Sequence, residues 1–404
     1  ILSSGDLVYR SDVLNTLARG ARHLDLAAMK APIGIHQVRA WSGVVAAGLL
    51  VQGGDARTAR GEAGLARALS QTLTADGGMV CRSPAAQLAL VETLAMLRSA
   101  YDVRRVEFPA PFASALSYAV PALMGATLGD GGLSSWQGGG PSYPRRVAAA
   151  IEASGQRALP LKNARDWGYQ RLQSGDSIVL MDAAPPPAQR LESGGCASTL
   201  AFELSHGPHR IVVNCGGAVG SAIPQDFAQR LRTTAAHSTL VVGDSNSTAL
   251  NPDGSLGKGV VEVEMERSDR DGIARIAASH DGYVRRYGFI HRRRIALSAE
   301  GDELQGEDIL EPEGKKQADD TGFAVRFHLS PDIEVTPAGE GTGALLRIPG
   351  GPAWHFRCRG ASVQIDASVW IDEKVRACPS KQLVLGGVAP PGGATLGWSF
   401  KRAG

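Results

Sequence analysis

The chain reads as an α+β protein of two domains, an incomplete α/α toroid followed by an antiparallel β-sandwich. Three observations predict this. Its 404 residues exceed what one ordinary core holds. In residues 1–155 apolar positions recur at helical spacing. In residues 160–404 short runs of strand formers follow one another between turns, with no helical pattern among them.

The first residues, Ile1-Leu-Ser-Ser-Gly-Asp6, lack a start methionine and read as the inside of a helical repeat. A preceding helical portion is therefore expected, and no signal peptide is legible. Helices are predicted over 36–50, 57–73, 85–100 and 112–128. Segment 57–73 carries Leu65, Leu69 and Leu73 in one stripe, and 85–100 carries Leu88, Leu90, Leu94 and Leu97. Gly-Asp, Asp-Gly-Gly and Ser-Pro breaks separate them. Successive helical hairpins suit a toroid or solenoid better than a parallel sheet.

Residues 130–165 read as a transition, with loops at 130–132 and 138–140. Eleven strands are then predicted, at 167–172, 177–182, 198–205, 210–214, 260–265, 273–278, 292–298, 324–329, 344–348, 363–369 and 394–401. Many short strands without crossover helices stack as a sandwich.

Composition bounds the function. Hydrophobic content of 43% and charged content of 20% are globular values. A net charge of +2 excludes a strongly basic nucleic-acid binder while leaving room for local basic patches. No apolar run approaches the roughly 20 residues needed to span a bilayer. Cys81, Cys196, Cys215, Cys358 and Cys378 form no CxxC pair and read as buried free thiols.

Chemistry concentrates in the β half. The run Arg232-Thr-Thr-Ala-Ala-His237-Ser-Thr-Leu-Val-Val-Gly-Asp244 sets an imidazole before a β-branched stretch. Asp253 lies in an Asn-Pro-Asp-Gly turn, and His291 opens a strand. Two imidazoles and a carboxylate from separate strands are donors a zinc ion accepts. Asp244 and His328 are the competing ligands, and hydrogen-bonded structural roles stay open for all of them. Tyr283, between His280-Asp-Gly and Arg285-Arg286, is the proton-transfer candidate, with His280 as its rival. Packing as a strand aromatic is the other reading of Tyr283. In the helical half, His36 and Arg82 stand out, and a planar guanidinium suits a substrate carboxylate. Both also suit structural roles at helix starts. Trp136, in the inter-domain loop, is a candidate sugar platform. Strand alternation sends the members of Arg292–Arg294 to opposite faces.

His237-Ser-Thr-Leu-Val-Val resembles the histidine-Asn/Ser-Thr strand motif of the heparinase II/III family of polysaccharide lyases, and the resemblance extends over most of the chain. It implies that His237 is a zinc ligand, with Asp253 and His291 near the places of the other two. The zinc would shape the site rather than activate water. It also implies a functional tyrosine or histidine near Tyr283. Gly34-Ile35-His36 is similar to the family's asparagine-histidine helix start, with Ile35 at the asparagine position. Gly77-Gly78-Met79-Val80-Cys81-Arg82-Ser83-Pro84 resembles Gly-Gly-X-X-Glu-Arg-Ser-Pro, with Cys81 replacing glutamate. Ala86 and Gln87 occupy the places of the family's tyrosine-histidine pair.

The resemblance implies a lyase that cleaves a uronate-containing acidic polysaccharide or oligosaccharide by β-elimination, with a periplasmic location. Such a reaction must neutralise the uronate carboxylate, remove the adjacent proton and protonate the leaving oxygen. Arg82 is expected to do the first; His36 and Tyr283 share the other two in either order. A non-catalytic glycan-binding or assembly protein on a degenerate lyase scaffold is the alternative, favoured by Ile35, Ala86 and Gln87. A glycoside hydrolase, the third reading, needs two flanking carboxylates that the helical half does not offer.

Overall fold

The computed structural model describes residues 11–51, 53–188, 194–217, 223–313 and 320–404. The expected helical beginning at residues 1–6 lies outside them. Six helices form the N-terminal unit: α1 (Ser11–Ala27), α2 (Ile35–Leu50), α3 (Asp55–Thr72), α4 (Pro84–Arg104), α5 (Ala110–Gly125) and α6 (Pro144–Ser154). The helix α2 packs against α1, α3 and α4, and α4 packs against α5 and α6.

Local chemistry explains these elements. Val38, Trp41, Val44, Val45 and Leu49 give α2 its buried face. Close approach to α3 needs small residues. A Cβ on Gly48 would lie 2.6 Å from the Thr58 nitrogen, and one on Gly64 would lie 2.4 Å from the Trp41 ring. Pro84 starts α4, where its missing N–H costs nothing. Helix α6 was not expected, since residues 130–165 read as a transition. Pro144 at its start and the left-handed Gly155 at its end, with φ 64°, are the signals for it.

The β unit begins with β1 (Tyr169–Ser174), β2 (Ser177–Asp182), β3 (Phe202–His206) and β4 (His209–Val213). A short helix α7 (Gln225–Arg230) precedes β5 (Leu240–Val242), β6 (Val263–Arg270) and β7 (Ile273–His280). One turn of helix, α8 (Val284–Tyr287), leads to β8 (Phe289–Leu297), β9 (Glu303–Pro312) and β10 (Thr321–Leu329). The chain closes with β11 (Glu334–Ala338), β12 (Gly343–Arg347), β13 (Trp354–Arg359), β14 (Val363–Ile371), β15 (Ala377–Ala389) and β16 (Ala394–Arg402).

These strands make two antiparallel sheets of eight. The first runs β1-β2-β3-β4-β10-β15-β14, with β5 also on β10; the second runs β11-β12-β13-β16-β9-β8-β7-β6. They pack face to face through aromatic rings. Phe202 stacks on Trp398 at 5.3 Å, and Phe327 meets Trp398 edge-on at 4.9 Å. The strands β9, β11, β13 and β15 were not among the predicted runs, whereas β5 is the strand expected after His237. Acidic residues and Gly306 interrupt β9, and Pro379, Gly386 and Gly387 interrupt β15.

The outer face of the first sheet lies against the helical unit. All six residues of β2 are buried, because its two faces meet two different cores. Ile178 and Leu180 pack on Leu128, and Tyr169 packs with Trp136, Trp167 and Ala122. Trp136 is fully buried there, which corrects the expectation of a sugar platform: its ring fills the junction between domains.

Candidate functional site

At that junction Arg82 precedes α4 with a left-handed backbone, φ 57°, unusual for a side chain with a Cβ. Its guanidinium reaches across to the β unit. Nε donates to the Trp167 carbonyl at 2.8 Å, Nη1 to Pro185 at 2.7 Å and Ala184 at 3.3 Å, and Nη2 to the Asp182 carboxylate. Tyr169 donates its hydroxyl to the Arg82 carbonyl, and the guanidinium lies 5.0 Å over the Tyr169 ring. The other oxygen of Asp182 accepts from Ser198 at 2.7 Å and Gln137 at 3.3 Å. Arg82 is therefore not a free fork for a substrate carboxylate. It is buried, and its donors are engaged by the protein.

Gln87 is locked in the same way on α4. Its amide oxygen accepts from the Met79 nitrogen at 2.9 Å, and its amide nitrogen donates to Gly77 at 2.9 Å and Ala119 at 3.0 Å. All its bonds hold backbone in place. His36 lies exposed in the first turn of α2.

A second polar cluster lies at the outer face of the first sheet. Glu203 is fully buried, and its Oε1 accepts from the Ser135 and Asn214 backbone nitrogens and the Asn214 side chain, each at 3.1 Å. Burial pushes its carboxyl up to about 7, opposed by Arg210. Asn214 in turn accepts from the Ser238 nitrogen at 2.9 Å. Beside it, His237 donates from Nδ1 to the Thr233 carbonyl at 2.8 Å. Burial lowers its pKa to about 4, so the ring is neutral near pH 7. Its Nε2 keeps a lone pair with no hydrogen-bond partner among the described residues.

The third cluster is inside the sandwich. The Gly282 nitrogen donates to His280 Nδ1 at 3.1 Å, which fixes the proton of that ring on Nε2. His280 Nε2 then donates to His291 Nδ1 at 3.2 Å, and His291 Nε2 donates to Asp308 at 2.8 Å. Arg293 clamps Asp308 with bonds of 2.8 and 2.9 Å, and the Trp398 indole adds a third of 2.8 Å. Burial lowers the pKa of both imidazoles. Asp308 is held well below the usual carboxylate range: burial opposes ionisation, and Arg293 and His291 together outweigh it.

The expected metal set is not assembled. Both ring nitrogens of His291 are engaged within the sandwich. Asp253 is on an exposed turn, where its carboxylate caps the Ser255 nitrogen at 2.8 Å. Asp244 follows Gly243 in a turn with φ 49°. His328 uses Nδ1 on Ser368 at 2.7 Å and Nε2 on the Ala235 carbonyl at 3.0 Å. Among the described residues no three His, Cys, Asp or Glu side chains gather as ligands. The donors present do not fit a zinc site.

Tyr283 also differs from expectation. It is 1% exposed in the sandwich core, donates its hydroxyl to the Leu240 carbonyl at 3.0 Å, and burial raises its pKa. Tyr283 is thus enclosed in the sandwich core, whereas His36 is exposed on α2. Sequence reasoning missed Asp182, Gln137, Glu203 and Asp308. Only Arg293 had a usable signal: alternation within Arg292–Arg294 sends it inward, opposite Asp308 in register.

Comparisons with known proteins agree with this architecture. A family model described as heparinase II/III-like, C-terminal, matches residues 156–399. FtsZ-localized protein C of Caulobacter vibrioides is 31% identical over 414 residues, covering 97% of this chain and 69% of that protein. Heparan sulfate lyase HepC from Pedobacter heparinus superposes with a TM-score of 0.72 at 14% identity, covering 97% of this chain and 63% of that one. A heparinase III structure gives 0.75 at 12% identity, covering 99% and 66%. The chain thus spans slightly under two thirds of these lyases, and the likeness to them is one of fold.

Proposed function

Because the chain belongs to the heparinase II/III-like family, we propose that it retains acidic polysaccharide strands without cleaving them, as a binding and assembly protein on a lyase scaffold. The carrying observation is Gln87. Where the resemblance places a tyrosine-histidine pair, this chain has Ala86 and an amide that holds Gly77, Met79 and Ala119 in place. The engaged fork of Arg82 and the buried phenol of Tyr283 support the same reading, since the protein itself holds the groups expected for carboxylate neutralisation and for one of the two proton transfers. The helical unit is, on this reading, part of an α/α toroid, and the location is periplasmic.

The test uses the full chain on a panel of uronate-containing polysaccharides. Retention in affinity electrophoresis, with no ultraviolet-absorbing unsaturated ends formed, is the expected result. Unsaturated ends from any substrate overturn the proposal in favour of the lyase, and absence of retention overturns it as well. Cell fractionation checks the location.

The 31% identity to FtsZ-localized protein C favours a second reading, recruitment by FtsZ. Co-sedimentation of the chain with FtsZ polymers tests it, and a chain left in the supernatant refutes it.

A further inference from the structure

The outer face of the second sheet carries a groove of about 1190 Å³, whose lining also takes in Arg165 from the segment before β1. Strand alternation and register build its floor. Arg275, Ala296, Gln305, Ser399 and Arg357 form one row across β7, β8, β9, β16 and β13. Ala277, Arg294, Glu307, Gly397 and Arg359 form the next. Small or polar side chains occupy the middle, with arginines toward the flanks. At about 4.8 Å per strand step, Arg275 and Arg357 stand roughly 19 Å apart.

Seven arginines and three glutamates line the groove. Arg267 is engaged with the Lys162 and Arg171 carbonyls at 2.8 Å each. Arg294 reaches Glu307 only at 3.7 Å. The side chains of Arg357 and Arg359 are exposed and form no hydrogen bond or ion pair among the described residues.

We propose that this groove is the binding surface for an extended polysaccharide bearing carboxylate or sulfate groups. The proposal rests on the retention reading above and assigns it a place. Planar guanidinium groups suit such anions. Ser268, Gln305, Thr395 and Ser399 offer hydroxyl and amide partners to sugar hydroxyls. A protein partner would need an aromatic or aliphatic anchor, but the apolar lining residues Met265, Ile276, Ile295 and Trp398 are packed into the sandwich core, Trp398 onto Phe202. A nucleic acid would meet Glu266, Glu303 and Glu307 and no stacking platform.

The experiment compares the full chain with the Arg275→Ala/Arg357→Ala/Arg359→Ala variant and with Glu307→Gln, using affinity electrophoresis and titration with heparin oligosaccharides. The triple variant is expected to bind about ten- to thirtyfold more weakly. Glu307→Gln is expected to bind more tightly, a gain that misfolding does not mimic. Binding of the unaltered chain should weaken as salt rises. If the unaltered chain binds and both variants bind equally well, the groove is overturned while retention elsewhere stands. If the unaltered chain does not bind, the retention reading fails and the groove with it. Tighter binding of polyglutamate than of oligosaccharide at equal charge overturns the groove proposal in favour of an acidic peptide.

Discussion

Arg82 and Asp182 form an ion pair across the junction of the helical and β units, with side chains only 6% and 0% exposed. Removing one partner leaves the other charge buried and unpaired. Arg82→Met is therefore expected to lower unfolding free energy by about 3–5 kcal/mol in urea denaturation. Arg82→Lys should recover only part of it, because a single ammonium cannot reproduce the fork that meets Trp167, Pro185, Ala184 and Asp182. Unchanged stability in Arg82→Met would leave the guanidinium free for a ligand.

Stability should fall on mild acidification. Burial lowers the pKa of His237 to about 4 and of His328 to about 3, from 6.5. Between these values the unfolded chain binds protons that the folded chain does not, so folding weakens as pH drops below 6.5. These two alone contribute about 2–3 kcal/mol per pH unit near pH 5.5. His280 and His291 add to the same slope. Glu203 acts oppositely: with its folded pKa raised to about 7, its protonated form loses stability as pH rises from 4.5. Glu203→Gln is thus expected to raise stability at pH 8 relative to pH 5, compared with the unaltered chain. Thermal melts across pH 5–8 check both signs.

Thiol labelling offers a direct check of the packing. Cys81, Cys196, Cys215 and Cys358 are buried, and Cys378 is partly exposed. Burial raises the Cys215 thiol to about 11, so it stays protonated at neutral pH. A chromogenic disulfide reagent is expected to label one thiol rapidly in the native chain and five in denaturant. Rapid native labelling of several thiols contradicts the packing of both cores.

Zinc should leave the fold untouched. A site held at 100 times its dissociation constant would add about 2.7 kcal/mol. The engaged His291 and exposed Asp253 lead to the expectation of no shift in Tm on adding zinc or on chelation. A clear upward shift, abolished by His237→Ala, refutes it.

The order of elements was legible because helices and strands write their periods into the sequence. The leucine stripes at Leu65–Leu69 and Leu88–Leu94 predicted α3 and α4 to within a few residues. The junction helix α6 and the strand β9 were not legible. Short, polar or acid-rich segments carry little periodic signal, and their structure is imposed by neighbours on both sides.

The candidate site was less legible than the fold. A histidine in a strand motif looks the same whether its nitrogens face a metal or a carboxylate. At His291 the deciding facts are His280 on one side and Asp308 on the other, eleven and seventeen residues away in the chain. The guanidinium of Arg82 finds its carboxylate a hundred residues downstream.

The sequence alone determined the order of helices before strands, the change from helical to strand period near residue 160 and the family likeness, because each is carried by neighbouring residues. Tertiary structure decided which polar groups are free. Burial makes an unpaired charge or donor costly, so distant partners converge on it, and only the folded chain shows which partners those are.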